Sequence, residues 1–233
     1  NIVAALAVKR IMQRERMPGT LVLWPGVAEE LLSGKAWFVR DGRFEDVDAV
    51  LFTHVASNLG TSWGNPTGTG LISAEYTFEG ISSHSAVAPW RGRSALDAVE
   101  LMNTGWNFRR EHLDPAQRSH YVIIDGGDQP NVVPPTATVW YYVRELTADK
   151  IRENFATLHR VAEGAALMTD TTLRRRVVGS AWPQHYNRPI ALAMDENIKA
   201  VGLPAWSEDD QIFARALQKL LEVEVKGLAN EID

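Results

Sequence analysis

The sequence predicts an α/β body with an incomplete, mixed sheet, interrupted by an inserted α+β domain of ferredoxin-like β-α-β-β-α-β order. Three patterns carry that expectation. Residues 1–66 alternate helix-like and strand-like segments, and the strand-like runs are apolar on both faces, as in a sheet covered by helices. A Gly- and Pro-rich stretch over 60–70 then reads as a linker. Beyond it, Ile72, Ala74, Tyr76 and Phe78 alternate with Ser73, Glu75, Thr77 and Glu79, the period of a half-buried strand. The expected bodies are 1–66, an inserted domain over 67–183, and a return to the first body over 184–233.

Taken in order, Asn1 suits a helix N-cap, and Ile2–Val8 are apolar on all faces, which predicts a buried helix over about 2–15. A chain rarely opens on a buried helix, so the sequence is expected to be a fragment that lacks material at both ends of the α/β body. Thr20–Trp24 reads as a strand. A helix follows from Glu29 to about Arg40, with Asp41-Gly42 as its stop, and Ala49–Thr53 reads as a second strand. In the inserted domain, Ser94 caps a helix carrying Leu96, Val99, Met102 and Trp106 on one stripe, ending near Leu113. Strands over 121–124 and 137–143 follow. Thr147 caps a helix bearing Ile151, Phe155, Leu158, Ala162 and Ala165, and a last strand covers about 172–181. From Pro183 the chain reads as loop-rich, then ends in a helix capped by Ser207 with Ile212, Leu217, Leu220 and Leu221 as core positions.

Composition narrows the function. The 233 residues carry a net charge of −5, which gives no basic field for nucleic acid. The basic run Arg174–Arg176 fits a solvated strand edge. With no cysteine, any metal must be held by His, Asp or Glu. No apolar run approaches the roughly 20 residues of a membrane span, and a cytoplasmic location is expected.

The candidate chemistry begins with the adjacent carboxylates Glu29 and Glu30, which follow the first apolar run. Two poorly solvated carboxylates side by side are costly unless a cation relieves them, and a metal would let one bind while the other moves a proton. The alternative is carboxylates in an ordinary helix first turn, which the break at Trp24-Pro25-Gly26 disfavours by setting the pair at a strand's carboxyl end. His54 closes the next apolar run and is either a ligand or a structural hydrogen-bonder. His84, in a polar loop, is either a surface residue or an oxyanion donor. Asn131 sits in a tight connection and can offer its amide. Arg144 ends a strand, and either clamps a carboxylate or forms a surface ion pair with Glu145 or a neighbour. His112, His120, His159 and His185 show no partner pattern and are expected at the surface.

The chain resembles the dimetal aminoacylase and carboxypeptidase-like amidohydrolases. The segments that carry the resemblance include Ala28–Glu30, His54–Ser57, His84–Ala86, Gly92–Met102, Arg110–His112, Pro130–Val133 and Glu163–Thr169, and the run through Arg93–Met102 is the most specific. The resemblance implies a metal-dependent amidohydrolase acting on an N-acyl amino acid, p-aminobenzoyl-glutamate or a relative, with two divalent metal ions, Mn or Zn. It implies Glu29 as general base and Glu30 and His54 as metal ligands. His84 becomes a lid residue that stabilises the tetrahedral intermediate, usually in the partner subunit's site. Asn131 and Arg144 become lid contacts to the substrate carboxylate. The inserted domain is then a lid and dimerisation domain, and the partner is a second copy or a related second subunit. Dipeptidase or aminoacylase activity on another substrate is an alternative, as is a metal-free paralogue serving as a partner subunit or binding module. The family's remaining ligand motifs fall outside residues 1–233.

Overall fold

A computed structural model describes residues 1–32, 34–55, 59–64 and 68–232. The chain divides into two units, one of Pro18–Asp46 with Thr67–Gln184, the other of Asn1–Met17, Val47–Pro66 and His185–Asp233.

The first unit is built on a four-stranded antiparallel sheet of β1 (Gly70–Glu79), β2 (Arg118–Asp125), β3 (Thr136–Glu145) and β4 (Thr172–Ala181), in the spatial order β2-β3-β1-β4. The helices α1 (Ile2–Arg14) and α2 (Gly34–Arg40) precede the sheet in the chain. Two longer helices pack on it: α3 (Ala95–Arg110), between β1 and β2, and α4 (Ala148–Thr169), between β3 and β4. Both begin where the sequence predicts. The Ser94 hydroxyl accepts from Asp97 N at 3.1 Å, and that of Thr147 accepts from Lys150 N at 3.3 Å, each satisfying an otherwise orphaned helix amide.

Period-2 patterning explains the core. Ala74, Tyr76 and Phe78 of β1 join Ala137, Val139, Tyr141 and Val143 of β3 against Val99, Met102 and Trp106 of α3 and Leu158, Ala162 and Ala165 of α4. The polar atoms of Trp106 and Tyr141 taken inside are paired. Trp106 Nε1 donates to Ser119 Oγ at 2.7 Å, and the Tyr141 hydroxyl donates to Asn103 Oδ1 at 2.6 Å. Burial pushes the Tyr141 hydroxyl far above the ordinary phenol range, so it stays a neutral donor.

β1 is more buried than its alternation predicts, because its second face is also covered. Ser73 is fully buried and receives a hydrogen bond from Trp140 Nε1 at 2.8 Å, and Thr77 pairs with Thr138 at 3.0 Å. The strand edges differ in character. β4 carries Arg176, whose guanidinium makes two bonds to Glu75 at 2.8 and 2.9 Å, and Arg175, which lies over the Phe155 ring. β2 instead presents Tyr121, Val122, Ile123 and Ile124, all exposed.

Elsewhere the structure departs from expectation. Thr20–Trp24 and Ala49–Thr53 form no strand, so no α/β sheet is built among the described residues. A strand exists only through a neighbour that takes its backbone hydrogen bonds, and neither stretch has one among the described residues. Trp24 packs instead on Phe38 and Phe44, with ring centroids 5.1 and 5.4 Å apart. α1 forms as predicted but buries none of its residues, and Ile2, Val3 and Leu6 are exposed. The segment read as loop-rich contains α5 (Arg188–Val201), which starts on two ordinary signals, the Asn187 cap and Pro189 in the first turn. α6 (Glu208–Leu220) has the expected Ser207 cap, closed as a capping box with Asp210. Its expected core positions Ile212, Leu217 and Leu220, with Leu221 just beyond, are exposed. The linker stretch 65–67 lies outside the described residues.

His159 also departs from its expected surface position. It is half-buried beside Tyr76, and its Nδ1 is buried with no hydrogen-bond partner. Desolvation, followed by the Arg175 charge, lowers its pKa, against a smaller opposing pull from Glu163. A histidine whose folded pKa is depressed costs stability as pH falls through its unfolded value of about 6.5. His159→Gln should therefore remove part of the acid sensitivity below that pH, measured as the parent-minus-variant difference in denaturant midpoint. Tyr141→Phe should cost about 1–3 kcal/mol in denaturant unfolding, because it leaves the buried Asn103 carbonyl unpaired.

Candidate functional site

Two loops meet at one end of the sheet. The loop after β1 and the loop before β3 are laced by backbone bonds: Gly80 N to Pro135 O at 2.7 Å, Val133 N to Ser83 O at 2.9 Å and Ser85 N to Asn131 O at 3.0 Å. His84 and Val132 form an isolated antiparallel bridge. Gly92 fits where a Cβ would come within 2.9 Å of the Val133 side chain, so the approach requires glycine. His84 and Asn131 are thus brought together on tied-down loops.

The ring of His84 has a defined orientation. Its Nδ1 accepts from Ala86 N at 3.2 Å. In the neutral ring the proton then sits on Nε2, which is left as an outward donor. His54 has the opposite arrangement. Its Nδ1 faces Val55 O at 2.7 Å and must donate to it, leaving the Nε2 lone pair available. The first suits stabilisation of developing negative charge, and the second suits metal ligation. The neighbouring positions 56–58 lie outside the described residues.

Glu29 and Glu30 occupy a one-turn 3₁₀ helix over Glu29–Leu31, flanked by Ala28 and Leu32 in left-handed conformations. Both side chains are exposed. The turn lies on the sheet face opposite α3 and α4, where the Tyr142 hydroxyl donates to Glu30 O at 3.0 Å. Arg144 is half-buried and lies 5.5 Å from the Tyr142 ring. It does not pair with Glu145, whose buried carboxylate accepts from Leu146 N at 2.7 Å.

Arg144 therefore stands with the Glu turn, away from His84 and Asn131. The length of β3 from Thr136 to Tyr142 separates the two groups, about 20 Å at a rise of roughly 3.3 Å per residue. Among the described residues no group of three or more His, Asp and Glu could hold a metal ion, and Glu30 and His54 belong to different units. Their donor types suit a hard or borderline divalent cation, but the described residues do not form a complete ligand set. Tyr142 is a site residue that the sequence reading does not single out. Its signal is the pair Trp140 and Tyr142, large aromatics on the supposedly solvent-facing side of an alternating strand.

The connectivity of this unit is that of a known domain. Residues 68–167 match the peptidase dimerisation domain of the M20 family. The chain carries this dimerisation domain, and the relatives it matches are named as a hydrolase and a dipeptidase. It is 38% identical over 219 residues to one of the subunits of p-aminobenzoyl-glutamate hydrolase from Escherichia coli (strain K12), covering 94% of this chain and 45% of that protein. It is 28% identical to the Xaa-Arg dipeptidase of Mus musculus, covering 90% of this chain and 48% of the relative. Among solved structures it is similar to an aminobenzoyl-glutamate utilization protein from Klebsiella pneumoniae. That match has a TM-score of 0.57 at 22% identity, covers 82% of this chain and 51% of the other, and supports the fold alone. The chain spans about half the length of the relatives it matches. Among the described residues, no helix is long and apolar enough to cross a membrane.

Replacing Gly92 with valine should separate the laced loops. The expected outcome is faster amide exchange at Ser85 and Val133, with the α3–α4 core unchanged, read by hydrogen–deuterium exchange.

Proposed function

We propose that the whole protein is a metal-dependent amidohydrolase that cleaves the amide of an N-acyl amino acid, p-aminobenzoyl-glutamate or a close relative, and that residues 67–183 are its ferredoxin-like lid and dimerisation domain. The observation that carries this reading is the exposed His84 ring, oriented by Ala86 N at its Nδ1 on a loop tied to Asn131, joined to the similarity with named amide-bond hydrolases.

In this reading Glu29 takes a proton from the attacking water and delivers it to the nitrogen of the departing amine. The water oxygen bonds to the carbonyl carbon as the C–N bond breaks. His84 donates to the oxyanion, a contribution of about 3–4 kcal/mol for a well-placed donor. Asn131 and Arg144 hold the substrate carboxylate, and the lid excludes solvent. Glu30 and His54 are the chain's two candidate ligands for the pair of divalent ions, Mn or Zn. The described residues supply no complete set, so further ligands have to come from beyond them.

The separation along β3 supports division of labour between two copies. Arg144 serves the site of its own Glu turn, whereas His84 and Asn131 reach a partner's. The partner meets the β2 edge, which is apolar and unguarded while β4 is shielded by arginines. A related second subunit is an equally good occupant of that edge, since the relatives include two different subunits of the same hydrolase. The protein is proposed to be cytoplasmic.

Glu29→Ala in the whole protein should lower p-aminobenzoyl-glutamate hydrolysis by at least about a hundredfold while sparing bound metal, the lower end expected for loss of a general base. Retained turnover would reject the base assignment. Val122→Lys should convert the dimer to monomer in sedimentation analysis, and an unchanged mass would place the interface elsewhere.

A further inference from the structure

Locally the Glu29–Leu31 turn is closed by two main-chain bonds alone, Leu31 N to Ala28 O at 3.1 Å and Leu32 N to Glu29 O at 2.8 Å. It has no side-chain cap, and the residues on either side, Ala28 (φ 49°) and Leu32 (φ 58°), are non-glycine residues in left-handed conformations, which the surroundings must maintain. Two features of the sheet meet it. The Tyr142 hydroxyl donates to Glu30 O across 112 residues of sequence. Gly179 of β4 lies so close beneath that a Cβ would stand 2.6 Å from Leu31 O and 3.0 Å from Leu32 O.

Both contacts are prepared by the sheet. Gly179 pairs with Ser73, and the β1–β4 register shifts immediately beside it, between Ser73 and Ala74. Such an irregularity adds a local bend that can re-aim a strand surface. Tyr142 is braced by the Trp140 ring, edge-on at 5.5 Å, and Trp140 is anchored by its bond to buried Ser73. A rigid column of Ser73, Trp140 and Tyr142 thus ends on the backbone of the carboxylate pair.

We infer that Tyr142 and Gly179 are positioning residues. They form a seat on the outer face of the lid sheet that fixes the Glu29–Glu30 turn, and through it the direction of the Glu29 carboxylate. This rests on the reading of Glu29 as the general base. It makes the lid sheet a part of the catalytic geometry as well as a cover.

The test uses Tyr142→Phe, which removes only the hydroxyl, and Gly179→Ala, which fills the seat, in the whole protein, with Glu29→Gln as a control. In Tyr142→Phe, exchange at the Leu31 and Leu32 amides should rise about five- to tenfold, the value of one lost hydrogen bond. The kcat for p-aminobenzoyl-glutamate should fall about tenfold with KM within about twofold of the parent, because substrate contacts are untouched. Gly179→Ala should reproduce both changes, with exchange in β1 and β3 unaltered. Parent-like exchange and kcat in both variants would overturn the inference while an inactive Glu29→Gln leaves the base assignment standing. An active Glu29→Gln would instead sink the base assignment, and exchange at Leu31 and Leu32 would then decide the seat by itself.

Discussion

Everything in the larger unit is referred to β1. It is hydrogen-bonded along both edges, to β3 and to β4, and buried on both faces. One face gives Tyr76 and Phe78 to the helices, and the other gives Ser73 and Thr77 to bonded pairs. A strand tied on four sides cannot slip by one residue, because that would exchange its apolar and polar sets and leave buried hydroxyls unpaired. The register of β1 therefore sets where β3 begins and ends, and hence where the loops and the Glu turn stand.

The functional geometry follows from that rigidity. One end of the sheet gathers His84 and Asn131 on loops laced by main-chain bonds. The outer face gathers Tyr142, Arg144 and the Glu turn. Each group is internally fixed, and the strand length between them is not negotiable. A single copy thus keeps the two groups apart, which supports the proposed division of labour between copies. The two histidines are oriented oppositely, each by a single main-chain contact to Nδ1: a backbone N–H at His84, a carbonyl oxygen at His54.

Much of the larger unit is legible from sequence, because its signals are local and its partners lie within the same segment. Ser94 and Thr147 mark helix starts through their own side-chain bonds, and the alternation from Ile72 to Phe78 is the pleat itself. The candidate residues are legible only as types. Spacing draws attention to Arg144 and Asn131 alike, but only the register reveals that β3 holds them apart. The apolar runs at Thr20–Trp24 and Ala49–Thr53 mislead because apolarity states a need for burial without naming the partner, and without a neighbouring strand the same residues make aromatic contacts or remain exposed. Tyr142 is hidden for the converse reason, since its partner is a main-chain carbonyl 112 residues away.

The central claim is that one copy's His84 completes another copy's Glu29 site. Mixing inactive Glu29→Ala and His84→Ala forms of the whole protein, allowing subunits to exchange, and assaying p-aminobenzoyl-glutamate hydrolysis tests it directly. In a randomly mixed dimer population about half the molecules are heterodimers with one intact site, so activity should recover to about one quarter of the parent's. Recovery absent after exchange is verified by mass would contradict the shared site and place His84 beside the Glu29 of its own chain.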